Sequence, residues 1–166
     1  MEYPNRKLNR LSGYDYSQAG AYFITICTKS YKNQFGMIED GEMHLNKLGI
    51  IARNHWLSIP EHFKDISIDE FVVMPNHIHG ILVLTMGNGY IRSLQGQNLS
   101  RIIGPYKASV SREIRKMNGG MDFKWQKSYY DHIIRKDESL DNVREYIRNN
   151  PMQWHLDKFY SNFYHD

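Results

Sequence analysis

The spacing of apolar and polar positions changes along the chain, and the changes mark out its elements. Residues 21–28, AYFITICT, are β-branched and aromatic and predict a strand. FGMIEDGEMHL carries Asp-Gly between two short apolar runs, a hairpin signal. In NKLGIIARNHWLSIPEHF, Leu48, Ile50, Ile51 and Trp56 fall near helical spacing, so a helix is expected that stops near Pro60. ISIDEFVVMP predicts a strand ending at Pro75. A tight turn at Pro75-Asn76 then returns the chain into a partner strand, HIHGILVLT. Residues 86–98 are rich in Gly and Asn and predict a loop. LSRIIGPYKASVSREIRKM predicts a long helix with Pro105 near its first turns. Its apolar stripe is Ile102, Tyr106, Val110, Ile114 and Met117, and NGGMD ends it. YYDHIIR predicts a short strand. DESLDNVREYIRNNP predicts a helix carrying Leu140, Val143 and Ile147 and closing before Pro151.

This order of elements points to an α+β fold with a mostly antiparallel central sheet and helices packed on it. A ferredoxin-like topology is the nearest common scheme. The 166 residues suit one domain over 1–166, with a basic N-terminal arm (1–18) and an aromatic-rich C-terminal tail (152–166) suited to docking on the body. Hydrophobic residues at 41% and charged residues at 23% are an ordinary globular mix. No apolar run approaches the ~18 residues that cross a bilayer, and the first residues show no secretory pattern, so no membrane partner and a cytoplasmic location are expected. A single cysteine, Cys27, excludes a disulfide framework and a thiolate metal site. Within YFITICT it reads as a small core side chain.

Within FVVMPNHIHGILVL, two imidazoles interrupt an otherwise apolar strand. Strand side chains alternate, so His77 and His79 share a face with about 7 Å between Cα atoms, and can share one metal ion. Structural histidines are the alternative reading. Gly80 leaves room for close packing on the opposite face. In NVREYIRNNP, Tyr146 and Asn150 stand one helical turn apart, so an amide oxygen and a phenol can meet one ion. The alternative is that Tyr146 fills the apolar stripe and Asn150 caps the helix. A net charge of +3 is weakly informative, but its distribution says more. Five Lys or Arg and one acid lie between Arg101 and Lys116, and Arg6, Lys7 and Arg10 cluster near the start, whereas acids gather at 61–70 and 137–145. Basic surfaces of this kind suit a polyanion.

HIHG after FVVMPN, then WQKSYYDHIIR and YIRNNP, preceded by RLSGYDYSQAGAYFITICT, occur here in one order. In that order they resemble the REP-associated tyrosine transposases, a branch of the HUH single-strand endonucleases. The similarity runs over roughly residues 8 to 151. It implies a ferredoxin-like HUH fold and metal-dependent cleavage and joining of single-stranded DNA beside a hairpin, through a 5′-phosphotyrosine intermediate. It implies Tyr146 as nucleophile, and His77, His79 and Asn150 as ligands of Mg²⁺ or Mn²⁺. It is compatible with a monomer and with a homodimer.

In such a reaction the phenol attacks phosphorus, and the covalent link conserves the bond for rejoining. Free tyrosine, with pKa ~10, is only about a thousandth phenolate at pH 7. His132 is a candidate for supporting or base duty, with a structural role as the alternative, and Gln126 and Trp125 are candidates for positioning or stacking. Tyr129 and Tyr130 are rival nucleophiles without a partner at Asn150's spacing. Arg101, Lys107, Arg112 and Arg115, with Arg6, Lys7 and Arg10, are expected to meet phosphates, and Tyr22 and Tyr90 are candidates for stacking on bases, with simple packing as the alternative. A non-catalytic single-stranded nucleic-acid-binding module of RRM-like architecture, and a metallohydrolase using water, are the rival readings.

Overall fold

The computed structural model describes residues 19–85, 99–117, 122–135 and 139–160. Arg6, Lys7, Arg10, Tyr90 and the expected loop over 86–98 lie outside them. Strand β1 (Gly20–Cys27) is followed by a hairpin of β2 (Gly36–Glu39) and β3 (Glu42–Leu45), then helices α1 (Lys47–Leu57) and α2 (Ile59–His62). Strands β4 (Ile66–Val73) and β5 (His77–Leu84) precede the long helix α3 (Ser100–Met117), strand β6 (Tyr130–Ile134) and helix α4 (Leu140–Asn149). A four-stranded sheet has the order β4-β5-β1-β6, with every pairing antiparallel. Leaving the β2-β3 hairpin aside, this is the βαββαβ ferredoxin-like arrangement.

Local chemistry explains the boundaries. The Asp-Gly signal becomes a turn in which Asp40 and Gly41 both take positive φ (51° and 78°), the backbone of a tight two-residue hairpin. Asn46 caps α1 by accepting from the N–H groups of Leu48 and Gly49 at 2.9 and 3.0 Å. Helix α1 ends at Leu57, near Pro60 as the sequence suggested, and a separate short helix follows. Pro60 sits in the first turn of α2, where its missing N–H costs nothing.

One sheet face carries the main core. Tyr22, Ile24, Ile26, Ile78 and Leu82 pack against Ile51, Ala52 and Trp56 of α1 and Ile102, Ile103, Tyr106, Val110 and Ile114 of α3. A side chain at Gly80 would collide with the Trp56 ring, so the strand must pass this point bare. Tyr22 is fully buried here, which removes it as a base-stacking surface. Met117, expected on the α3 stripe, is exposed, and Ile50 of α1 faces outward.

The second face carries Cys27, His77 and His79, and α4 packs on it. Between Ile68 and Phe71 the β4–β5 register slips. Two residues, Asp69 and Glu70, then oppose one on β5, so consecutive acids can both reach α4. Arg144 grips Asp69 with two bonds of 2.7 and 2.6 Å, and Arg148 bonds Glu70 at 2.7 Å. No helix among the described residues is long and apolar enough to cross a membrane.

Candidate active site

Register places the two histidines. His79 lies opposite Thr25 and His77 opposite Cys27 on β1, with both imidazoles buried and their ring centroids 4.3 Å apart. The His77 ring is oriented by Asn76, whose Nδ2 donates to the carbonyls of Tyr31 (2.9 Å) and Phe159 (2.8 Å). The Asn76 amide is thereby fixed with Oδ1 facing His77 Nδ1 at 2.8 Å, so Nδ1–H must be the donor and Nε2 carries a lone pair. That Nε2 is buried and has no hydrogen-bond partner among the described residues. His79 Nδ1 is bonded to Thr25 Oγ1 at 2.8 Å, and Phe23 stacks on its ring. Burial, helped by the positive charge of Lys158, pushes His77 down to about 3. Burial and the neighbouring His77 hold His79 well below its ordinary value. Both rings are therefore neutral at pH 7, the state in which imidazole binds a metal.

Helix α4 brings the other two predicted groups. The Tyr146 hydroxyl lies 3.5 Å from His79 Nε2, at the outer limit of a hydrogen bond, and its ring meets Phe23 edge-on. Tyr146 is 42% exposed, so it stands between the histidines and solvent. Burial raises its pKa above the ordinary 10, the Asp157 carboxyl adds to the rise and the Asn150 amide opposes it. Asn150 is buried with Nδ2 donating to Asp157 Oδ2 at 3.0 Å, and its Oδ1 has no hydrogen-bond partner among the described residues. A buried carbonyl oxygen and a buried imidazole nitrogen, each lacking a donor, are the donor set a divalent cation would satisfy.

Asp157 was not foreseen. It follows a short 3-10 turn, Trp154–Leu156, in the docked tail. Its Oδ2 sits 3.9 Å from His77 Nε2 and 4.0 Å from His79 Nε2. No periodicity or motif marked it. The only sequence signal was an acid among aromatics shortly after Pro151.

Other expected residues are distributed differently. His132 lies on β6 opposite Phe23 and lines, with Phe23, Asn142, Val143 and Tyr146, a cleft of about 210 Å³ beside the phenol. Gln126 and Trp125 line a second cleft of about 680 Å³, together with Lys29, Arg115, Lys124 and Lys127. The Gln126 backbone N–H donates to Cys27 O at 2.9 Å, bracing the end of β1. Arg101, Arg112 and Arg115 are exposed on α3. The Lys107 ammonium is instead bound to the carbonyls of Gln126 and Lys127, at 2.7 and 3.5 Å. The Tyr129 hydroxyl meets Ser100 at 3.1 Å, and Tyr130 packs toward Phe159 and Lys158. Burial pushes the Cys27 thiol up to about 12, so it stays protonated.

A family model described as "Transposase IS200 like" matches residues 55–150, more than half of the chain and inclusive of His77, His79, Tyr146 and Asn150. A Haemophilus influenzae protein, described only as uncharacterized, is 39% identical over 169 residues, spanning 94% of this chain and 93% of that one. Among solved structures, a REP-associated tyrosine transposase bound to a REP hairpin is 20% identical and shares the fold. Its TM-score is 0.53 over 89% of this chain and 77% of that one. A putative transposase from Deinococcus radiodurans gives a TM-score of 0.48 at 14% identity, over 84% and 95% of the two chains. Histidines, phenol and amide thus fall within a matched family segment, and the chain belongs to the IS200-like transposase family.

Proposed function

We propose that this chain cuts and rejoins single-stranded DNA beside a hairpin, with Tyr146 as the attacking group. The observation that carries the reading is the convergence of Tyr146, His77, His79 and Asn150 in one chain, two from a strand, one from helix α4 and one from its C-cap. The structural neighbour bound to a REP hairpin supports hairpin DNA as the substrate and a place in the REP-associated branch.

In the proposed reaction the Tyr146 oxygen attacks the scissile phosphorus. An O–P bond forms to the phenol as the bond to the 3′ oxygen breaks. The phenolic proton leaves to solvent or a nearby base, and the departing 3′ oxygen takes up a proton as a free hydroxyl. The 5′-phosphotyrosyl link retains the bond for rejoining, so no nucleotide cofactor is needed. His77 Nε2, His79 Nε2 and Asn150 Oδ1 are the atoms that would hold Mg²⁺ or Mn²⁺. A bound ion of this kind supplies charge neutralisation at a non-bridging phosphate oxygen. Phe23 keeps the His79 ring in place, and Thr25 and Asn76 fix the outer nitrogens of the two rings. All these groups belong to one chain, which supports a monomer as sufficient for the cut. Arg101, Arg112 and Arg115 are the proposed phosphate contacts, and the cleft beside His132 is a place for the strand next to the cut.

The test is a labelled hairpin oligonucleotide with single-stranded flanks, incubated with Mn²⁺ or Mg²⁺ and resolved on a denaturing gel. Wild type is expected to give a cut strand and a protein–DNA adduct, and Tyr146→Phe to lose both by about 10³-fold or more. Cutting that survives in Tyr146→Phe without adduct would establish water as nucleophile. Binding without any cut in wild type would establish a non-catalytic module.

A further inference from the structure

The matched family segment ends at residue 150, yet the tail beyond it supplies a buried carboxylate to the same site. We infer that Asp157 is a fourth ligand of the cation, so that the metal clamps residues 151–160 onto the sheet. This rests on the metal reading given above and extends it to a segment the motifs do not cover.

The geometry is that of ligands around one centre. His77, His79 and Asp157 each offer one ligand atom, and these atoms all lie within 4.8 Å of one another. The carboxylate is 3.9 and 4.0 Å from the two nitrogens. Two donors each about 2.1–2.2 Å from one ion lie up to about 4.4 Å apart, so these separations suit a shared cation and are too long for hydrogen bonds. Because Asn76 takes the Nδ1 proton of His77, Nε2 faces Asp157 with a lone pair. Two acceptors then oppose each other inside the protein, and a positive ion between them resolves the conflict. Both carboxylate oxygens are held: Oδ1 accepts the Phe159 N–H at 2.7 Å and Oδ2 accepts the Asn150 amide at 3.0 Å. These bonds aim the group at the imidazoles. Among the described residues the two histidines are its only ion-pair neighbours.

A second link joins the tail to the same histidine. The Phe159 carbonyl accepts from Asn76, the residue that orients His77, and the Phe159 ring packs on His77 with 4.8 Å between centroids. The tail therefore touches one ligand through its ring and steers another, Asn150, through Asp157. A cation bound by all four groups would lock the segment in place, and release of the cation would loosen it.

The experiment measures Mn²⁺ binding to the full chain by electron paramagnetic resonance, wild type beside Asp157→Asn. Amide exchange over residues 151–160 is followed in the same samples. Asp157→Asn is nearly isosteric and keeps an acceptor for Phe159, and it is expected to weaken Mn²⁺ binding by about tenfold or more. In wild type, Mn²⁺ at about ten times its Kd is expected to slow exchange over 154–160 by about tenfold, an effect absent from the variant. Equal Mn²⁺ affinity in the two chains overturns the inference, as does exchange over 154–160 in wild type that ignores Mn²⁺. The second arm needs no variant, so misfolding of Asp157→Asn does not protect the idea. If wild type takes up no Mn²⁺, or His77→Ala binds it as well as wild type, the metal reading itself fails and this inference falls with it.

Discussion

Helices α3 and α4 lie on opposite faces of one sheet and are attached to it in different ways. α3 buries six residues along one stripe, Ile102, Ile103, Tyr106, Val110, Ser111 and Ile114, against the main core. α4 buries only Ile147 within its span and is fastened by arginine–carboxylate pairs to a bulge in β4. Apolar burial is non-directional and shields its surroundings from water. Bidentate guanidinium–carboxylate bonds are directional, leave water nearby and weaken in salt. The helix that carries none of the reacting groups is thus built as scaffold. The helix that carries the phenol and the amide is held by bonds that set position at little cost in accessibility. The difference teaches that stability and placement of the reacting groups are separable here.

The largest effect should come from the scaffold side. Ile114 is fully buried, so Ile114→Ala removes packed surface and leaves a cavity. Urea unfolding is expected to show a loss of about 2–5 kcal/mol. A loss no greater than that of Arg144→Ala would break the contrast between the two helices. On the other side, the double replacement of Arg144 and Arg148 by Ala should leave the urea midpoint close to wild type. It should speed amide exchange across α4 by about tenfold, a gap of one decade in local opening. Exchange in α3 should not change, and nicking of the labelled hairpin should drop because the phenol is no longer held beside His79. Salt should mimic this weakly: about 1 M NaCl raises α4 exchange and leaves α3 alone.

These contrasts also show what could be read from the chain and what could not. The shared face of the two histidines was legible because a strand alternates with period two, and that of Tyr146 and Asn150 because a helix repeats near four; their proposed roles came from the family resemblance. Both rules are local. The α3 stripe was legible for the same reason, up to the point where the helix ends at Met117. Tyr22 stayed open between packing and base stacking until the structure showed it buried, because alternation alone cannot say which faces of a strand are covered. Asp69 and Glu70 were counted as part of an acidic cluster, but a bulge turns both toward α4, and bulges leave no periodic trace. Lys107 looked like one more phosphate contact, yet the 122–128 segment folds over it and its carbonyls take the ammonium. Asp157 lay furthest from view. It reaches the site through a non-periodic tail, and only tertiary docking brings it within 4 Å of the histidines.

The smallest and most specific expected effect is that of mild acid on the metal-free protein, and it separates the two faces again. Both buried histidines lie on the α4 side, whereas the buried residues of α3 include none. Their folded-state pKa values are lowered, His77 to about 3 from an ordinary 6.5. Below pH 6.5 the unfolded chain therefore takes up protons that the folded chain refuses. The stability linked to these groups is complete above about pH 6.5 and is lost progressively as pH falls toward 3. Asp69, whose pKa is lowered chiefly by its bonds to Arg144, adds a second loss that begins only below its ordinary 3.8. Between pH 7 and pH 6 these two histidines act and Asp69 does not, and urea unfolding should show a fall on the order of 1 kcal/mol. His77→Gln should roughly halve that slope, while Ile114→Ala should lower stability equally at both pH values. A slope that ignores His77→Gln would mean that the α4 face does not exclude protons, and the separation drawn between the two sides would then be one of packing alone.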